Sequence, residues 1–365
     1  MRSVVFTAML REPMKLLQKS LIAFVSIQKS GDRKSIEDQK KDQGLHECEV
    51  FGSWPANAES TFAWDNCTKT QNNHRNFVPF SEFCEKNLPS HCIFKESLAN
   101  YIKTFASLVV RLRINYVSTY RPDGYTFARS RGAYLPHLGT GWVYRLKRGI
   151  GHCPCQICLN NPPSSSPDWW DIEVFTACHV VYDKQEAQWT SVDFFHNDDN
   201  SEITTVLGYD VKDNDPRNDV CILRCATHDK HLFQTLEDAM WMCYYLKKDI
   251  KDALLPSLCV VISHPHGKPK KITVGEIAGK ADFCPEESLM ADFMYTYSAE
   301  TCNGSSGAPV LCSVGQDYTG SEVVWPGAGP HSWGNVRGGL NQCGSGAFYV
   351  EETEEEEEEE IEENY

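Results

Sequence analysis

Short runs of β-branched and aromatic residues, each bounded by turn residues, recur along the chain between about residues 116 and 350. The clearest are DIEVFTACHVV at 171–181, NDVCILRC at 218–225 and SLCVVISHP at 257–265, and the last is GAFYV at 346–350. Many short strands with turn signals between them are typical of an antiparallel sandwich or barrel. The pattern therefore predicts a mainly β domain over this part of the chain.

Two segments have the periodicity of a helix. Over residues 94–114 the apolar residues recur at helical spacing, which predicts a helix packed on the domain that follows. These apolar residues are Leu98, Ile102, Phe105, Leu108, Val109 and Leu112. A second helix is predicted over 235–250, where Thr235 and Asp238 suit a capping box. This helix separates the strands into two groups, about 116–226 and 255–350.

The chain accordingly divides into three parts. Residues 1–115 form an N-terminal extension that is partly helical and has no assigned function, residues 116–350 form the strand-rich domain, and residues 351–365 form a tail. The tail holds eleven glutamates, so the net charge of −15 becomes −4 without them. Self-repulsion predicts a disordered tail. The body of the chain carries no basic excess, so we expect no nucleic-acid partner.

Targeting signals are weak. No stretch reaches the roughly 18 apolar residues of a spanning helix, so no membrane span is expected. The apolar run from Leu21 to Ile27 is short for a signal-peptide core, and no clear cleavage site follows it. We expect a cytoplasmic or nuclear protein, with a mitochondrial or secreted one as the alternative. The sixteen cysteines are then expected as reduced thiols, metal ligands or redox sites rather than as disulfides.

The stretch TCNGSSGAPV at 301–310 places two serines between two glycines. Such a stretch is often only a turn, and a serine becomes a nucleophile only when a histidine accepts its proton. His179 follows a strand-like run, and Asp219 leads directly into an apolar run, where an acid that orients the histidine would be partly buried. A histidine in a strand is more often structural, and three other aspartates compete with Asp219: Asp210, Asp213 and Asp215.

Several motifs carry a family resemblance. The boxes TACHVV, NDVCIL and GSSGAPV, in this order along the chain, resemble those of chymotrypsin/trypsin-like serine proteases of the PA clan. Their style is similar to that of intracellular and bacterial trypsin-like peptidases. GTGWVYRL at 139–146 resembles the strand before the histidine box, and HSWG at 331–334 resembles the segment whose backbone pairs with substrate. The resemblance covers about residues 116–350.

This resemblance implies a chymotrypsin-like fold, in which two six-stranded antiparallel β-barrels pack face to face and the catalytic residues lie in the cleft. It makes His179 the general base, Asp219 the orienting acid, and Ser306 rather than Ser305 the nucleophile. The backbone N–H groups of Gly304 and Ser306 would then receive the oxyanion.

The same resemblance assigns substrate binding to Ser332, Trp333 and Gly334. It also places Glu300, six residues before Ser306, at the floor of the primary specificity pocket. A carboxylate there would favour substrates with Arg or Lys at the cleaved position. In the alternative, Glu300 turns away to make a structural hydrogen bond, and the pocket is apolar.

A second cluster of reactive side chains lies in HCPCQIC at 152–158, which supplies His152, Cys153, Cys155 and Cys158. A Cys-x2-Cys pair is half of a typical tetrahedral zinc site, but the chain offers no obvious matching pair. Structural zinc, a disulfide or redox pair, and plain surface thiols all stay open.

The sequence thus predicts a serine endopeptidase that hydrolyses protein or peptide substrates through an acyl-enzyme and needs no cofactor for catalysis. One alternative is an inactive protease fold kept as a binding or scaffold module. Another is that the N-terminal region is an inhibitory pro-segment of an enzyme that is inactive as the full chain.

Overall fold

The computed structural model describes residues 36–52, 57–69, 73–160, 168–250, 257–280, 295–312, 327–334 and 339–344. The first 35 residues, the strand predicted at GAFYV and the glutamate-rich tail lie outside these ranges. Among the helices described, none combines the length and the apolar character that crossing a membrane requires.

Strands are the main regular secondary structure of the described residues. They are β1 (Glu49–Val50), β2 (Val78–Pro79), β3 (Val109–Tyr116), β4 (Tyr134–Arg148), β5 (Trp170–Thr176), β6 (Thr190–Phe194), β7 (Thr204–Asp215), β8 (Val220–Thr227), β9 (Leu258–Ser263), β10 (Lys271–Lys280), β11 (Tyr295–Tyr297), β12 (Pro309–Cys312), β13 (Gly327–Trp333) and β14 (Asn341–Cys343). The α-helices are α1 (Ile36–Asp42), α2 (Asn57–Asp65), α3 (Lys95–Ser107), α4 (Gln156–Asn160), α5 (Lys184–Ala187) and α6 (Lys230–Ile250).

These strands close two antiparallel barrels. In the first, β4, β3, β6, β7, β8 and β5 follow one another, and β5 returns to pair with β4. In the second barrel the order of paired strands is β11, β14, β13, β12, β9 and β10, and β10 also pairs with β11. Each barrel thus has six strands, which confirms the predicted mainly β, chymotrypsin-like fold class.

Three apolar clusters hold this arrangement together by removing apolar surface from water. The first barrel is filled by residues such as Leu112 and Leu223, and the second by residues such as Val261 and Tyr297. A third cluster, which includes Ile102, Phe175 and Val260, joins the two barrels to α3. The helix therefore packs on the domain that follows it, as expected.

The predicted helix over 94–114 is wrong in its second half, because α3 ends at Ser107 and β3 begins at Val109. From Val110 onward the buried apolar residues alternate with arginines: Val110, Leu112 and Ile114 face the core. Arg111 and Arg113 lie between them and donate hydrogen bonds to Asp193. This period of two is that of a strand. The first barrel therefore begins before the predicted residue 116.

Residues before α3 are also part of the barrels. β1 pairs with the first half of β4, and β2 pairs with β10. The described part of the N-terminal region is therefore attached to both barrels.

The helix between the barrels starts earlier than predicted. α6 begins at Lys230, and the side chain of Asp229 accepts hydrogen bonds from the backbone N–H groups of His231 and Leu232. Asp229 thereby satisfies donors that a helix start leaves unpaired. Thr235, the predicted cap, lies inside the helix, where its hydroxyl donates to the carbonyl oxygen of His231.

Candidate active site

Three turns bring the predicted site residues together at the cleft between the barrels. His179 follows β5, Asp219 immediately precedes β8, and Ser306 lies in the turn before β12. β5 and β8 are paired neighbours in the first barrel, whereas β12 belongs to the second. The site is therefore assembled only when the two barrels pack.

A continuous set of hydrogen bonds links these three side chains. Asp219 Oδ2 lies 2.7 Å from His179 Nδ1, and Asp219 Oδ1 accepts from the backbone N–H of His179 at 2.9 Å. Nε2 of His179 lies 2.7 Å from Ser306 Oγ. The hydroxyl of Ser332 also donates to Asp219 Oδ2. These contacts fix the imidazole ring with Nε2 toward the serine.

The protonation states suit a general base. Burial lowers the pKa of His179, and this outweighs the opposing effect of the Asp219 charge. Burial alone would raise the pKa of Asp219, but His179 and the hydroxyl of Ser332 bring it down to about 2. At neutral pH an uncharged imidazole therefore lies between a carboxylate and a hydroxyl, ready to accept the serine proton.

The competing residues have other contacts. Ser305 Oγ donates to Ser263 Oγ at 3.1 Å and accepts from the backbone N–H of Cys302 at 3.2 Å. Asp210 pairs with Lys184, Asp213 is exposed, and Asp215 accepts from the backbone of its own turn. Of the two adjacent serines Ser306 is the one that contacts His179, and of the four candidate aspartates it is Asp219.

Two backbone N–H groups of the serine turn converge on one oxygen. Gly304 and Ser306 both donate to the carbonyl oxygen of Glu47, at 2.5 and 3.3 Å. Gly304 has a φ of +95°, and a Cβ there would lie 2.6 Å from the carbonyl oxygen of His264, so only glycine fits this turn. This pair of donors has the geometry of an oxyanion hole.

The carbonyl of Glu47 belongs to residues 45–49, here called the cleft segment, which runs through the site. The N–H of Gly334 donates to the carbonyl oxygen of Leu45 at 2.9 Å. His46 Nδ1 lies 2.8 Å from the carbonyl oxygen of Ser332. The N–H of Glu47 donates to Ser306 Oγ at 2.9 Å. Ser332 and Gly334, both predicted to bind substrate, therefore contact a segment of their own chain.

The side chain of Glu47 enters a polar pocket. Its carboxylate accepts from His331 Nε2 at 2.9 Å and from Lys69 Nζ. Burial raises the pKa of Tyr297, so its hydroxyl keeps its proton and donates to His331 Nδ1 at 2.6 Å. Burial also lowers the pKa of His331. The neutral ring therefore carries its proton on Nε2, where it donates to Glu47.

Glu300, predicted at the floor of the specificity pocket, makes hydrogen bonds to its own chain. Its Oε1 accepts from Asn76 Nδ2 at 2.7 Å, and its carbonyl oxygen accepts from Thr273 at 2.8 Å. This is the structural hydrogen bonding of the alternative. The positive charge in the neighbouring pocket is that of Lys69, whose Nζ contacts the carboxylate of Glu47.

Comparison with known proteins places a family on this part of the chain. Residues 165–316 match the family model described as "Trypsin-like peptidase domain", and this range contains His179, Asp219 and Ser306. This part of the chain is similar to trypsin-like peptidase domains. The predicted resemblance is confirmed.

Solved structures with low similarity to this chain include two proteases. The Rv3671c protease from M. tuberculosis, in its active form, is 16% identical over 67% of this chain and 78% of its own, with a TM-score of 0.34. The HtrA-type protease AlgW with tripeptide is 14% identical over 68% of this chain and 59% of its own, with a TM-score of 0.33. No curated protein matches the chain. The family assignment rests on the sequence match alone.

The first barrel carries a cluster of metal-ligating side chains at the predicted HCPCQIC motif, between β4 and β5, but one member differs from the prediction. Cys153, Cys155 and Cys158 come together with His228, whereas His152 is exposed and is not part of the group. His228 Nδ1 lies 2.8 Å from the carbonyl oxygen of Asp168, and its Nε2 lies 3.3 Å from Cys158 Sγ. The fourth member of the group, which the sequence did not indicate, is thus His228, directly after β8.

A further cluster was not predicted from the sequence. It comprises Cys67, His74, His266 and Cys302, whose ligand atoms all lie within 4.8 Å of one another. Three of the four residues are buried. They come from distant parts of the chain and form no local motif, so only the folded arrangement indicates the group.

Proposed function

We propose that this chain is a serine endopeptidase in which His179, Asp219 and Ser306 are the catalytic residues. The observation that supports it best is the hydrogen-bond chain from Asp219 through His179 to Ser306. The convergence of two turn N–H groups on one carbonyl oxygen adds to it. A protein kept only as a scaffold would not need this whole set.

In the proposed mechanism, His179 removes the proton of Ser306 as the hydroxyl oxygen attacks the substrate carbonyl carbon. The N–H groups of Gly304 and Ser306 stabilise the negative oxygen that forms. His179 then gives its proton to the departing amine, and water hydrolyses the serine ester in the second half of the reaction. Asp219 holds the ring and stabilises its cation. No metal ion takes part in these steps.

Labelling with a fluorophosphonate probe tests this function, because labelling needs an activated serine. The full chain is compared with Glu47→Lys, in which reversed charge beside Lys69 loosens the cleft segment. We expect Ser306 to be labelled in both proteins, faster in the variant, and the variant to hydrolyse peptides. The absence of labelling and of hydrolysis in both proteins would support the scaffold alternative.

We also propose that Cys153, Cys155, Cys158 and His228 hold a structural zinc ion. Three thiolates and one imidazole are a common tetrahedral set for zinc. The contact of His228 Nδ1 with the carbonyl oxygen of Asp168 directs Nε2 toward the thiols, as expected of a ligating histidine. The ion would connect the motif after β4 to the end of β8, away from the catalytic residues.

A further inference from the structure

We propose that the cleft segment is an internal substrate, cut between Glu47 and Cys48, and that the pocket beside Ser306 selects glutamate at the cleaved position. This inference rests on the proposed peptidase activity.

The backbone of the segment is held on both sides of the Glu47–Cys48 bond. Before the bond, Leu45 accepts a hydrogen bond from Gly334. After it, Glu49 begins β1, which pairs with β4 in antiparallel register. Between these contacts the Glu47 carbonyl oxygen lies at the two N–H groups of the serine turn. A segment that only covered the entrance would not need to present a peptide carbonyl at this point.

The pocket matches a carboxylate. Lys69 supplies a positive charge, and the neutral His331, oriented by Tyr297, supplies a directed N–H. Gly334 leaves room for the side chain, because a Cβ there would lie 2.0 Å from Glu47 Oε1. A glutamine would lose the charge of this pair, and a lysine would meet Lys69. The substrate class that this chemistry recognises is a peptide with glutamate at the cleaved position.

The cut requires no component beyond the chain and water. Ser306 Oγ bonds to the Glu47 carbonyl carbon, and His179 accepts the serine proton. The carbon–nitrogen bond to Cys48 breaks, and His179 transfers that proton to the departing nitrogen. Water then hydrolyses the ester, which leaves a carboxylate on Glu47, a free amino group on Cys48 and an unchanged Ser306.

Gln43 holds the two sides of the bond together. Its Oε1 accepts from the N–H of Cys48 at 2.9 Å, and its Nε2 donates to the carbonyl oxygen of Cys48 at 3.0 Å. Gln43 lies before the cut and Cys48 after it, so this pair keeps the departing nitrogen near the ester. We therefore expect slow cleavage, and a cleft that stays covered until residues 36–47 leave.

Intact-mass measurement of the purified full chain over time tests the proposal. We expect a fragment of residues 48–365 that begins at Cys48, formed at a rate independent of protein concentration. Ser306→Ala should yield none. Glu47→Gln should slow the cut at least tenfold, whereas Glu82→Gln, at an exposed position, should not change it. Gln43→Ala should speed the appearance of the fragment several-fold.

The outcomes separate this inference from the proposed function. If fluorophosphonate labels Ser306 in Glu47→Lys but the wild-type chain never yields the 48–365 fragment, the internal substrate is excluded and the peptidase remains. If Glu47→Lys is not labelled and no fragment forms, both fail. Equal cutting rates for Glu47→Gln and the wild type would overturn glutamate selection. Peptides that differ only at the cleaved position, offered to Glu47→Lys, should show at least a tenfold preference for Glu over Gln and Lys.

We infer a second zinc site from the cluster of Cys67, His74, His266 and Cys302. Sγ of Cys302 lies 3.1 Å from Cys67 Sγ and 3.0 Å from His266 Nε2. Nδ1 of His266 lies 2.6 Å from Glu49 Oε2. A zinc-ligating histidine usually makes a hydrogen bond to a carboxylate through one ring nitrogen and binds the metal through the other, and here the other nitrogen is directed at thiols.

Two cysteines and two histidines complete a tetrahedral site. Cys302 lies in the turn that carries Ser306, whereas Cys67 and His74 belong to the N-terminal region. The ion would therefore fasten this region to the serine turn, beside the cleft segment.

Zinc content measured by plasma mass spectrometry tests the second site. The wild-type chain should contain about two equivalents, and Cys67→Ser with His74→Ala should lose one of them, while Cys84→Ser should keep both. Unchanged zinc in the folded double variant would overturn the inference. A Cys67–Cys302 disulfide in a non-reduced peptide map would do so as well.

Discussion

The imidazole ring of His46 lies stacked on that of His179, with 3.8 Å between the ring centroids and 21° between the planes. Burial and the nearby His179 lower the pKa of His46 to about 3, so both rings are uncharged near neutral pH. His46 also stacks on Trp333, another residue predicted to bind substrate, with 5.4 Å between the ring centroids. One side chain of the cleft segment thus covers the proposed general base.

We expect His46→Ala to open the site. The change removes the stacking on His179 and the hydrogen bond to Ser332, so the cleft segment is held less tightly. Labelling of Ser306 by a fluorophosphonate should become several-fold faster than in the wild type. His91→Ala, at an exposed position, is the matched control. An unchanged or slower rate would mean that His46 does not restrict access.

The two adjacent serines should behave differently. Ser306→Ala should abolish labelling and lower peptide hydrolysis by about 10⁶-fold, because the nucleophile is lost. Ser305→Ala should leave labelling largely in place, since its hydroxyl contacts Ser263 and the Cys302 backbone. Circular dichroism of both variants checks that they fold. The reverse pattern would assign the nucleophile to Ser305.

The sequence predicts the parts of the site that have local signals. Each of the three proposed catalytic residues, His179, Asp219 and Ser306, adjoins a strand with a recognisable sequence box. These boxes and their order along the chain are enough to select the three residues as candidates. His228 has no such box. It reaches the cysteines that follow β4 because β5 pairs with both β4 and β8, with Trp170 opposite Arg148 on one side and Thr227 on the other.

The occupation of the cleft depends still more on tertiary structure. Glu47 contacts Ser306 across 259 positions of sequence, and the local sequence around Glu47 does not indicate this contact. The strand at 109–116 was missed for a local reason. Its first apolar residues fit the spacing of the preceding helix, and alternation becomes visible only from Val110.

Self-cleavage should depend on pH through neutral His179. Burial lowers its pKa below the usual 6.5 despite Asp219, and the positive charge of Arg121 acts in the same direction as burial. Because the base acts uncharged, the rate should rise with pH through this lowered pKa and level off above it. In Glu47→Lys, water reaches the ring and its pKa returns toward 6.5. The acid limb of peptide hydrolysis should therefore lie at higher pH than that of self-cleavage, and the opposite order would contradict this account.

Removal of the proposed zinc ligands beside α4 should lower the zinc content of the protein and leave the reactivity of Ser306 intact. Cys155→Ser with Cys158→Ser should lose about one equivalent of zinc and lower the thermal midpoint, because metal-binding energy contributes to folding. The fluorophosphonate should still label Ser306 below that midpoint. His152→Ala is the control, since this residue is outside the cluster. Equal zinc and equal midpoints in all three proteins would exclude the ion.

The loop that carries His179 should depend on a buried ion pair. Arg121 and Glu186 are both fully buried, and the guanidinium donates to Glu186 Oε1 at 2.6 Å and Oε2 at 2.7 Å. The same arginine donates to the carbonyl oxygen of His179 at 3.0 Å. Arg121→Ala leaves the Glu186 carboxylate buried without its cation, which should lower the free energy of unfolding by about 3–5 kcal/mol.

Urea denaturation measures this loss against Arg129→Ala. Arg129 pairs with Asp42 at 3.3 Å, but its side chain is 76% exposed, so removing it should change stability by no more than about 1 kcal/mol. Arg121→Ala should also slow self-cleavage in conditions where the variant is still folded, because the His179 backbone loses one of its anchors. Equal midpoints for the two variants would mean that water or a local shift replaces the buried pair, and that the position of His179 does not depend on Arg121.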